Sequence, residues 1–162
     1  MRLTADIVAA EHEWVRERAD RVVPLINDVR ADLGAAFDAE VGTVSTAEYR
    51  AAVDAVFADG DLAVNVAALV ALLRDLDVAD DYPGFVVDEL LGRELAGALA
   101  GTQPLRLLGE ATFHYADVTT HTEGPAGMDD LDAALAAGFQ TRLPGWEWAD
   151  GESPFAVGSE RE

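Results

Sequence analysis

The chain has 162 residues, 50% of them hydrophobic and 26% charged, which fits one folded domain rather than a disordered chain. Its 31 acidic residues outnumber 11 basic ones, for a formal net charge of -20, and it contains no cysteine. These counts exclude disulfides, thiolate catalysis and cysteine-ligated metal centres, and they argue against a nucleic-acid surface, which is built from clustered Arg and Lys.

Every basic residue is Arg. In dilute buffer such a surface repels itself, whereas at about 1 M salt the screening length falls to about 3 Å and the penalty largely disappears. The profile, rich in Asp, Ala and Val and devoid of Lys, resembles the halophilic style of proteins from salt-accumulating cells. Met1 to Asp6 lead directly into a charged amphipathic stretch, so no signal peptide is expected. The longest apolar runs, Leu62 to Leu73 and Leu95 to Ala100, fall short of the roughly 18 residues of a membrane span. A cytoplasmic protein without membrane insertion is the expectation.

Thr4 can cap a first helix running to about Phe37, with Ile7, Trp14, Val22, Leu25, Val29 and Leu33 at helical spacing and Pro24 expected to kink or divide it. Its only basic cluster, Arg16, Arg18 and Arg21, is interleaved with Glu13, Glu17 and Asp20 and reads as a solvated, paired face. Ser45-Thr46-Ala47-Glu48 is a capping box for a second helix through Phe57. A third helix, from Asp61 to about Leu76, is apolar nearly all round, the pattern of a helix in the middle of a bundle. A fourth spans Phe85 to Ala100, where Gly92, Ala96, Gly97 and Gly101 form a small-residue face that permits close helix approach. A fifth covers Leu105 to Val118, although Thr119-Thr120-His121-Thr122 is β-branched and suits extended chain as well. Met128 to Ala137 is a short Ala-rich helix ended by Gly138. The remainder carries Pro144, Gly145, Gly151, Pro154 and Gly158 and cannot be a long helix.

The expected fold is therefore all-α: a single-domain five- or six-helix bundle over residues 1–143 with a central apolar helix at about 61–76. Residues 144–162 form an extended arm whose Trp146, Trp148 and Phe155 pin it to a core groove or a neighbouring subunit. The alternative is an α+β fold with a small hairpin from about 112–122 and 139–148.

Three constellations bear on function. Glu110, His114, Asp117 and His121 are spaced by four, three and four, so one helix would place them on one face, with the ligand types that take zinc, iron or manganese. His12, between Glu11 and Glu13, is a further candidate ligand from another element. At 100° per residue from Leu108, however, Leu105, Ala111, Thr112 and Tyr115 fall within about 60° and the four polar residues about 180° to 240° away, on the face that should meet water. The aspartates at 75, 77, 80 and 81 fit no calcium loop, because Asp80 and Val86 stand where Gly and Glu are needed. Asn65, set in an apolar helix, reads as buried, and with Trp14 and Tyr115 it could line a small-ligand pocket.

No nucleophile elbow or phosphate-binding loop is present. The leading expectation is a non-catalytic binding or accessory protein that self-associates or docks a protein partner and needs no cofactor. The alternatives are a metal-dependent enzyme with a divalent transition metal on the 110–121 face, and a small-ligand sensor.

Overall fold

The computed structural model describes residues 1–76, 81–119 and 128–146, which form helices and their connections without a strand among them. Among the described residues seven helices follow in chain order: α1 (Ala5–Glu17), α2 (Ala19–Ala36), α3 (Thr46–Ala58), α4 (Gly60–Asp75), α5 (Asp81–Ala100), α6 (Leu105–Thr119) and α7 (Met128–Gln140). The all-α expectation holds. The hairpin alternative does not: 112–119 lie inside α6, and 139–146 run from the end of α7 through turns.

Local signals set the helix starts. Thr4 Oγ1 accepts from Ile7 N at 3.2 Å. Ser45 and Glu48 close the capping box reciprocally, with Glu48 N donating to Ser45 Oγ at 3.2 Å and Ser45 N to Glu48 Oε1 at 3.2 Å. Asp59 caps α4 through Leu62 N at 3.3 Å. The long first helix divides at Arg18, not at Pro24, which lies inside α2. Pro24 is exposed, so the Asp20 carbonyl that its ring deprives of a donor lies on the solvent side of the helix.

The central helix is α7, which corrects the placement of 61–76 at the centre. All of residues 131–140 are buried, and α7 packs against α2, α3, α4, α5 and α6. Its alanines let neighbours approach closely, and Gly138 continues the helix instead of ending it because it sits at the crossing with α5. A Cβ there would lie 2.4 Å from Leu99 Cβ and 3.0 Å from the Ala96 carbonyl oxygen. By contrast α4 leaves Val64 43% and Leu72 39% exposed. Among the described residues no single helix is long and apolar enough to cross a membrane.

The small-residue face of α5 seats α6, as its glycines suggest. Gly92 lies under the buried ring of Phe113, where a Cβ would come within 2.4 Å of Cζ, and a Cβ on Gly109 would meet Ala100 Cβ at 2.6 Å. Gly92→Ala is therefore expected to destabilise by about 1–3 kcal/mol, the overpacking outweighing a helix-propensity gain of about 1 kcal/mol. Phe113→Leu in the Gly92→Ala background should return part of the loss. Denaturation midpoints of the two single variants and the double variant, in molar KCl, measure that coupling.

Two arginines, Arg18 half-buried and Arg30 fully buried, tie the bundle together. Arg18, at the α1–α2 break, donates from Nε and Nη2 to the two oxygens of Asp132 on α7, both at 2.9 Å. Arg16 pairs with Asp54 on α3. These partners lie on other helices, so Arg16 and Arg18 bridge between helices in addition to facing the acids their spacing places nearby. Arg30 is fully buried and donates to four backbone carbonyls: Val41 at 2.6 Å, Gln140 at 3.2 Å, Gly42 at 3.3 Å, and Pro144. Burial pushes its guanidinium below the ordinary value, with the charge of Glu48 opposing. Trp146, 1% exposed, packs against Arg30 with the guanidinium 5.8 Å from its ring centre, and its Nε1 donates to the Gln140 carbonyl and to Gln140 Oε1, each at 3.1 Å. Gly145 is required beside them: its φ is +109°, and a Cβ would lie 2.5 Å from the Val41 carbonyl oxygen. Arg30 thus ties both the 41–44 connection and the chain after α7 to α2, and Asn27 adds a second hold on the former, donating from Nδ2 to the Val44 carbonyl at 3.2 Å and accepting from Val44 N at 2.8 Å.

Candidate functional site

Helix α6 presents the most unusual surface of the described residues. Its inward stripe is Gly109, Thr112, Phe113 and Ala116, all buried, so the face centred on Leu108 is not the buried one. The rotation follows from the glycine seat on α5: Phe113 fits over Gly92 and fixes which side of α6 turns in. The opposite side carries Leu107, 63% exposed, Tyr115, 38%, and Val118, 57%, with Ala111 and His114 also exposed. Positions 107, 111, 114 or 115, and 118 recur every three or four residues, which is the seam one helix offers to another. In a chain that carries a net -20, an apolar stripe of this length is out of keeping with the rest of its surface.

The proposed metal ligands lie along one flank of this helix. Glu110 is half-buried and its Oε1 stands 3.3 Å from Arg106 Nε; Asp117 is half-buried and His114 exposed. Among the described residues no three His, Asp or Glu side chains gather closely enough to hold a metal ion. His121 lies outside the described residues. His12 does not join the group, because α1 packs chiefly on α3 and α4 while α6 packs on α5 and α7. Its Nε2 is 2.7 Å from Asp54 Oδ1, and its ring stacks on Phe57 with centres 4.7 Å apart and planes 7° off parallel. The Arg16 hydrogen bond holds the Asp54 carboxyl below the ordinary carboxylate range, and the bond to His12 adds to it.

The proposed small-ligand trio is likewise dispersed. Trp14 is half-buried between two guanidinium groups, Arg74 at 4.3 Å and Arg18 at 5.3 Å from its ring centre. Tyr115 donates its hydroxyl to Asp32 on α2, which raises its pKa. Asn65 is exposed, not buried, since it shares the outer side of α4 with Asp61, Val64 and Leu72. Of the aromatic arm, Trp146 is a core residue, and Trp148 and Phe155 lie outside the described residues.

Sequence reasoning missed Arg30 and Phe113. Arg30 occupies the apolar stripe of α2, one position after Val29 and four after Ile26, a spacing that marks an inward arginine. Phe113 could have been found from Gly92 and Gly109, two gaps in facing helices that need a large side chain to fill them.

Residues 1–159 match the family model described as a domain of unknown function (DUF7984). No curated protein and no solved structure matches the chain.

Proposed function

We propose that this chain, which belongs to the DUF7984 family, is a non-catalytic, salt-adapted cytosolic binding protein that works through the outward stripe of α6 and pairs there with a second copy of itself. The carrying observation is the exposed apolar seam at Leu107, Ala111, Tyr115 and Val118. The seam is self-complementary. Antiparallel pairing about 22 Å long, the length of α6, sets the small Ala111 of one copy opposite the large Tyr115 of the other and brings Leu107 toward Val118 at each end.

Charge decides when the pairing occurs. Two copies at -20 each repel in dilute buffer, whereas concentrated salt both screens that repulsion and strengthens apolar burial when the salt is kosmotropic. Sedimentation in molar potassium salt should give a dimer for the native chain and a monomer for Leu107→Glu with Val118→Glu. Both side chains are exposed, so circular dichroism of the double variant should match the native spectrum. A folded double variant that sediments like the native chain would overturn the reading.

A further inference from the structure

A groove of about 450 Å³ opens between the start of α4, the α5–α6 connection and the turn after α7, and its walls include Asp59, Asp61, Asn65, Thr102, Arg106 and Arg142. Its two arginines differ. Arg106 is neutralised by Glu94 and Glu110. Arg142 donates through Nε to the Leu99 carbonyl and has no carboxylate within ion-pair distance among the described residues. Anchoring Nε leaves the two Nη groups to receive a carboxylate in the fork geometry that suits guanidinium.

Asn65 explains itself here. It is the one uncharged polar side chain on α4, it is exposed, and its amide has no protein partner among the described residues, so it brings a donor and an acceptor to the groove. Asp59 uses Oδ1 to cap α4, leaving its other oxygen, and Asp61 is exposed in the first turn. A simple anion such as chloride on Arg142 would compete with the charge of Asp59, which already acts on that guanidinium, and would leave Asp61 unmatched. A molecule carrying both signs would satisfy each wall, and the volume falls within the range of small-ligand pockets.

We propose that this groove binds a small zwitterion of the amino-acid class, its carboxylate on Arg142, its ammonium group on Asp59 and Asp61, and Asn65 between them. The site is separate from the α6 seam, and neither depends on the other. The test is a titration of the ¹⁵N-labelled full chain with L-serine in molar KCl, with acetate and methylammonium as one-headed controls. L-serine should produce saturable shifts of the Asn65 side-chain amide and the Thr102 backbone amide. Loss of one charged hydrogen bond corresponds to at least about tenfold weaker binding, the effect expected for each control and for Arg142→Gln. Arg142→Lys, which keeps the charge and loses the fork, should also weaken binding, and it serves if Arg142→Gln does not fold. No saturable shift with L-serine, glycine or L-glutamate, or equal binding by a folded Arg142 variant, would overturn the proposal.

Discussion

Arg30→Met is expected to destabilise the protein by about 3–5 kcal/mol, near the limit of single-residue effects. The variant removes the guanidinium's hydrogen bonds to four backbone carbonyls at once; the Gln140 carbonyl keeps Trp146 Nε1 as a donor, and a buried acceptor left without a partner costs about 1–3 kcal/mol. Relief of the guanidinium's desolvation offsets only part of this, because methionine fills the space and supplies no donor. Arg30→Lys should recover less than half, since an ammonium group cannot span acceptors arranged around a planar fork. Denaturant midpoints in molar KCl measure the loss. Near-ultraviolet circular dichroism should report loosening of Trp146, which packs on Arg30. A change below about 1 kcal/mol, the scale of an ordinary surface substitution, would remove Arg30 from its structural role.

Salt withdrawal should have the largest effect. As salt falls from about 1 M to about 0.01 M, the screening length grows from about 3 Å to about 30 Å, so that the repulsion of a -20 chain acts across the whole domain. Far-ultraviolet circular dichroism is expected to collapse over that range, and an intact helical spectrum in millimolar salt would contradict the claim of salt adaptation. Mild acid should partly replace salt by neutralising carboxylates. Asp54 limits the window from below: its folded pKa is depressed by Arg16, so its contribution is present above the unfolded value and lost as pH falls through the folded one.

Much of the helix inventory was legible because it is local. The Thr4 cap and the Ser45–Glu48 box depend on residues three apart, and the structure has both. Burial was less legible. The run from Leu62 to Leu73 is more apolar than α7, yet Val64 and Leu72 reach solvent while Ala133 to Ala137 do not. Apolar side chains cover much of any protein surface, whereas a helix of small residues can sit where several others cross. The same error buried Asn65 in expectation. The candidate metal face was legible only in part: spacing on α6 groups Glu110, His114 and Asp117 along a flank, but it says nothing of whether His12 on α1 comes near or whether Arg106 pairs with Glu110.

The seam on α6 became visible only when Phe113, rather than Leu108, proved to face inward. Because the chain has no cysteine, one introduced thiol reports its own surroundings without ambiguity. The direct measurement is cross-linking of Ala111→Cys by a short bis-maleimide in molar KCl, with Ala55→Cys on the exposed side of α3 as the control. Pairing through α6 predicts a covalent dimer from the first and little from the second. Equal yields, or no dimer from Ala111→Cys, would contradict it.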